Sequence, residues 1–253
     1  MVPTKGTTVA LRIRSLAAGF WAEARLPEVY PRDVEQAVAL VLPVGIVKLP
    51  LLTATRVTEW LARNSIRISV EARPFDLMGC VVACRGHGLI FVCGGDPADE
   101  QRLTIAHETA HFLAHYLLPR QRVVRAMGNA ITEVLDGERE ATADERVAGI
   151  LAGVRVGAHV HLLHRNGLAD PRVGQAEDDA DGLGLELVAP HDAVLAFLRT
   201  RHVEHLPSNE QQRALALRFG VPVRAFSCIV AGVTRNAPTG FVSETLAVIR
   251  RRL

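Results

Sequence analysis

The chain has 253 residues, 49% hydrophobic and 22% charged, a balance that builds a globular core and excludes a disordered chain. Its formal net charge of +2 gives no global electrostatic case for a nucleic-acid or anionic-membrane partner, and arginine groups such as Arg120, Arg122 and Arg125 read as solvated faces. Its four cysteines (Cys80, Cys84, Cys93 and Cys228) fit no disulfide framework at this size, the N-terminus lacks signal-peptide order, and Pro43, Gly45, Lys48 and Pro50 interrupt the longest apolar stretch, so a cytoplasmic protein without a membrane partner is expected.

From the N-terminus, residues 7–25 carry Ala10, Ile13, Leu16, Ala17 and Phe20 near helical spacing. A second helix is expected from Pro31-Arg32-Asp33 through Leu42, and a third from Thr53, a candidate cap, to Arg63. Ile66 to Val70 alternates and reads as a strand. Gly79 to Ala83 and Leu89 to Cys93 are β-rich runs joined by Arg85-Gly86-His87-Gly88, a hairpin signal. Within these strands the cysteines read as small apolar residues and not as a metal site.

The next segment carries the chemistry. Apolar residues from Leu103 to Leu118 mark a buried helix, with Asp96, Asp99 and Glu100 near its positive end and Pro119 as its stop. Inside it lies His107-Glu108-Thr109-Ala110-His111, the H-E-x-x-H pattern of zinc-dependent hydrolases. Residues four apart stack on one helix face, so both imidazoles can reach one ion. Glu108, about 100° round the helix, can sit beside an open coordination position and take a proton from water there. His115, one turn further, drifts about 40° per step and points away from the metal.

Hydrolytic zinc sites take three protein ligands and keep one position open. Two segments offer a glutamate with an aspartate four residues on: Glu140 with Asp144, and Glu177 with Asp181. In either pair the glutamate would bind metal while the aspartate accepts the second N–H of a ligand histidine. Glu177 is favoured, because Leu183, Leu185, Leu187 and Val188 make its helix core-facing, whereas Glu140 lies in a charge-dense stretch; Asp178 and Asp179 are alternatives if the helix phase differs.

The run Thr104-Ile-Ala-His-Glu-Thr-Ala-His-Phe-Leu, with Ala176-Glu-Asp-Asp-Ala-Asp-Gly-Leu-Gly-Leu-Glu-Leu-Val-Ala-Pro190, resembles the ImmA/IrrE family of bacterial zinc metallopeptidases over about residues 60–230. The resemblance implies an α+β, zincin-like fold, mostly helical, with a small β-sheet preceding the metal-binding helix. It implies Zn2+ held by His107, His111 and Glu177, with Glu108 as general base and Asp181 behind a ligand histidine. It also implies a cytosolic metalloprotease whose protein substrate is a helix-turn-helix repressor, acting in a stress or mobile-element response. Gly182-Leu183-Gly184 stands where that family usually has alanine or phenylalanine after the aspartate.

Further along, Val123 to Leu135 and Thr142 to Val154 are helical in pattern, and 157–182 is loop-rich, so residues 120–175 read as an insertion. His159, His161 and His164 lack acidic or cysteine company at ligand spacing and receive no role. Tyr116, His87 and His191 are candidate donors to a transition-state oxyanion, though packing or surface placement explains each as well. A helix follows from His191, and Asn209–Arg218, a turn and Val223–Ala231 form a helical hairpin with few groups to read base edges. The expected organisation is an N-terminal helical segment (1–60), a catalytic domain (61–200) and a C-terminal helical hairpin (201–253). The rival to a protease is a non-catalytic regulatory binding module that retains the fold; a DNA-binding regulator using the C-terminal helices is a third reading.

Overall fold

The computed structural model describes residues 5–68, 70, 76–152, 154, 156–165 and 174–227. They form a mixed α and β protein in which helices dominate and one four-stranded sheet is present. Two compact units divide the chain: Met1–Val41, Pro97–His107 and Asp170–Leu253 make one, and Leu42–Asp96 with Glu108–Ala169 make the other.

In the first unit α1 (Lys5–Ala24) packs on α2 (Val34–Val41) and on α8 (Gly174–Val188), burying Ile13, Ala17, Phe20 and Ala24 at helical spacing. The Trp21 indole N–H donates to the Leu187 carbonyl at 3.0 Å and ties α1 to α8. Helix α9 (His191–Leu198) starts right after Pro190, and α10 (Ser208–Phe219) leads through Gly220 into a single 3-10 turn, Val223–Phe226. The expected second helix of the C-terminal hairpin is therefore only this turn as far as residue 227; its remainder lies outside the described residues.

The second unit is built on the sheet, in the order β1-β3-β2-β4. Strands β2 (Leu77–Cys84) and β3 (His87–Cys93) form the expected hairpin, and β1 (Val44–Leu49) adds parallel to β3. Helix α3 (Ala54–Arg63), capped by the Thr53 hydroxyl accepting from the Arg56 N–H, presses Val57 and Leu61 onto one sheet face with Cys80, Val82 and Phe91. The run expected as a strand at 66–70 has no regular structure at 66–68 and 70. Ile66 and Ile68 instead pack sideways onto the α3 cluster.

Two departures shape the site. The sheet does not wholly precede the metal-motif helix: β4 (His159–His164) follows it and pairs antiparallel with β2, inside the stretch expected as loop. Likewise, α4 (Ala98–His111) does not end at Pro119. It passes through a π-helical turn, Phe112–Leu117, into α5 (Leu118–Met127), and Pro119 lies just past that turn, inside the continuing helix. The single helix expected over 123–135 is broken at Gly128, whose φ of 81° is left-handed, into α5, a 3-10 turn and the short α6 (Thr132–Leu135). Helix α7 (Ala143–Ala152) opens on a reciprocal cap: the Thr142 N–H donates to Glu145 at 2.7 Å, and the Glu145 N–H donates back to the Thr142 hydroxyl. No helix among the described residues is long and apolar enough to cross a membrane.

Candidate metal centre

Helix α4 sets the geometry. His107 and His111 stand one turn apart on it, both buried, and Glu108 between them is wholly buried. Burying two imidazoles and a carboxylate on one apolar helix is unfavourable unless each polar atom finds a partner.

For His107 the partners come from α8. Its Nε2 lies 3.6 Å from Glu177 Oε2, and its Nδ1 donates to Asp181 Oδ1 at 2.9 Å. The two acids are one helical turn apart, which lets one carboxylate stand at each edge of the same ring. The Glu177 distance is too long for a hydrogen bond, but ligand atoms around a tetrahedral zinc stand roughly 3.3 Å apart. Gly184 makes the approach possible. A Cβ there would lie 3.0 Å from the His107 backbone nitrogen and Cα, so any side chain would hold α8 off α4.

For Glu108 and His111 the partner comes from β4. Val160 and Leu162 point to the α3 side of the sheet, so His159 and His161, alternating with them, point to the other; His161 stands opposite Val81 of β2. The His161 Nδ1–H donates to Glu108 Oε2 at 3.0 Å, and its ring stacks on His111 with centroids 3.6 Å apart and planes 17° from parallel. His115 Nδ1 lies 3.1 Å from His111 Nδ1. Residue 115 lies one turn beyond 111, across the start of the π-helical turn, and four-residue spacing keeps the two rings adjacent.

His107, His111, His161 and Glu177 each offer a ligand atom, and these atoms all lie within 4.8 Å of one another. Imidazole nitrogens with one carboxylate are the donor set of a borderline divalent cation, zinc foremost. A second sign of fit is Glu108 Oε1, buried and without a hydrogen-bond partner while Oε2 is bonded. An orphaned carboxylate oxygen costs about 1–3 kcal/mol, and a water at the metal position would relieve it.

The other candidates fall elsewhere. Glu140 and Asp144 are exposed, with the Glu140 carbonyl accepting from Arg139, and Asp179 accepts from Gln175. Asp178 is not among the four grouped residues. The Tyr116 hydroxyl accepts the Gly86 N–H at 2.7 Å and pins the hairpin turn, while burial pushes its pKa up. His87 is exposed and His191 opens α9, its backbone N–H donating to Glu186. None of these three residues belongs to the metal group. Cys80, Cys84 and Cys93 are free thiols outside the group; burial, and then the Glu108 carboxylate, raise the Cys80 thiol well above its ordinary value and keep it protonated.

His161 is the residue that sequence reasoning missed. The signal was present in the alternation His159-Val160-His161-Leu162, which is strand-like and places two histidines on one face. The chain matches no protein-family model, and no curated protein matches it.

Proposed function

We propose that this chain is a zinc-dependent metallopeptidase with a zincin-like fold, akin to the ImmA/IrrE peptidases, that cleaves a protein substrate in the cytoplasm. The observation that carries the reading is the buried Glu108 carboxylate. One oxygen is bonded and the other is orphaned, in the helical turn that also presents the two buried imidazoles.

In this reading His107, His111 and Glu177 hold the ion, and Asp181 fixes the His107 tautomer with Nε2 directed at it. A bound divalent ion supplies Lewis acidity, lowering the pKa of a water and polarising the scissile carbonyl. Glu108 Oε1 takes the proton of the attacking water and returns it to the leaving amine, so one carboxylate serves as base and then acid. Strand β4 is at an edge of the sheet, and such an edge can hold an extended peptide through backbone hydrogen bonds. The family likeness adds a helix-turn-helix repressor as the substrate class and a stress or mobile-element response as the setting.

The test is proteolysis of repressor proteins and unfolded general substrates by the zinc-loaded chain and its Glu108→Gln variant. The variant is expected to keep one zinc and lose about 10²–10⁴ in turnover. Equal cleavage by both forms removes Glu108 as the base.

The second reading is a non-catalytic regulatory module. By distance alone His161 brings the donors to four, and a closed set of four protein ligands marks a structural zinc. Stoichiometric zinc with no turnover by the wild type over the whole panel selects it.

A further inference from the structure

Two contacts of His161, with Glu108 and with His111, together point to one role. Its nitrogen lies within 4.8 Å of the other donors, which by distance alone would make it a ligand. The ring planes argue otherwise. An imidazole binds zinc about 2.0–2.1 Å from its nitrogen, with the ion close to the ring plane. The rings of His111 and His161 are 3.6 Å apart and only 17° from parallel, so no ion at bonding distance lies in both planes. If His111 binds the ion, His161 as it stands does not.

What His161 does hold is the Glu108 carboxylate. The terminal torsion of a glutamate is broad and roughly two-fold, so an unbonded carboxylate presents either oxygen in many orientations. The Nδ1–H bond at 3.0 Å fixes Oε2 and leaves Oε1 as the only proton acceptor on a carboxylate that has no exposed surface. The same ring lies flat on His111 and limits rotation of that imidazole. Strand register makes this possible, since β2 holds His161 in line with Val81 and the flanking Val160 and Leu162 are packed into the α3 cluster.

We propose that His161 is a positioning residue, outside the coordination sphere, that couples the general base Glu108 to the ligand His111 and holds both in working orientation. This rests on the peptidase reading above. It makes β4, which local spacing does not connect to the metal motif, part of the catalytic apparatus.

The test compares wild type, His161→Ala and His161→Asn by cobalt substitution, zinc titration and peptidase kinetics. Both variants are expected to bind one metal with the wild-type cobalt d–d spectrum and an affinity within about 10-fold. His161→Ala is expected to lose about 10–100-fold in kcat with KM within about 3-fold. His161→Asn, whose amide N–H can stand near the position of Nδ1–H, is expected to recover to within about 5-fold of wild type. A purely structural contribution to folding would not give a loss confined to kcat that an amide donor restores. A changed cobalt spectrum, or an affinity loss beyond about 100-fold, makes His161 a ligand and overturns the proposal, as does wild-type turnover in His161→Ala or failure of the asparagine to rescue. Absence of turnover in the wild type itself overturns the peptidase reading and the positioning role with it. A ligand-type cobalt change beside active wild type overturns the positioning role alone.

Discussion

At the scale of single residues, the centre depends on which nitrogen of each histidine faces inward, and neighbours decide that. Asp181 takes the Nδ1–H of His107 at 2.9 Å and so leaves Nε2 directed toward Glu177. Replacing Asp181 with alanine leaves a buried N–H without a partner and lets the ring choose the wrong tautomer. We expect Asp181→Ala to weaken zinc binding by about 10–100-fold, and Asp181→Asn, which keeps an acceptor oxygen, to weaken it less. Titration against a competing chelator reads this directly; equal affinity in all three proteins would show that the contact does not orient the ligand. The placement of Glu177 and Asp181 beside His107 was legible because its information is local: acids four residues apart share one helix face, and the apolar run that follows turns this helix toward the core. The exposure of Glu140 and Asp144 was legible too, from their charge-dense surroundings. His161 was not, because its contact with Glu108 depends on a strand pairing across 53 residues of sequence. No spacing rule within a helix records such a pairing.

At the scale of elements, the close approach of α8 to α4 is what converts two helices into a ligand set. Gly184 faces the His107 backbone, and a Cβ there meets main-chain atoms at 3.0 Å, which cannot swing aside as a side chain can. Gly184→Val adds further bulk at the same point, so α8 must shift outward and carry Glu177 and Asp181 with it. Overpacking of this kind destabilises by about 1–3 kcal/mol, and a displacement near 1 Å is enough to spoil a metal site. The expected result is a folded protein by circular dichroism whose zinc affinity falls by at least about 10-fold; retention of wild-type affinity would mean that α8 does not rest on this glycine. Elements with their own periodicity, α1, α3 and the β2–β3 hairpin, were readable from pattern alone, whereas α8 was readable from its apolar second half and its first part falls in the stretch 157–182 that reads as loop. Strands β1 and β4 were not. Each is a short edge strand, half-buried along much of its length, whose pairing partner, not its own sequence, makes it a strand. The π-helical turn was hidden for a related reason, because apolar residues continue smoothly from α4 into α5 and nothing in their spacing marks the added residue.

At the scale of the whole molecule, the donors are spread along the chain from residue 107 to residue 177 and converge only when it is folded. The unfolded chain can offer His107 and His111 as a local pair but not the carboxylate beside them, so a metal held by this group would bind the native state far more tightly and stabilise it by mass action. At a free zinc concentration about 1,000 times Kd this linkage is worth about 4 kcal/mol, or roughly 8–16 °C in Tm for a domain of about 150–250 residues. Glu108 is unfavourable to bury with one oxygen orphaned, and a water at the metal position adds to the difference by giving Oε1 a partner. We therefore expect chelation to lower Tm by that order, with the loss reversed by zinc in a concentration-dependent way. Glu108→Gln should narrow the gap from the other side. The neutral amide is less unfavourable to bury than a carboxylate, so the metal-free variant should melt higher than the metal-free wild type while the zinc-loaded forms differ little. Scanning calorimetry of the four species checks both statements. A Tm that ignores zinc altogether would mean that these side chains come together for packing and not for a metal.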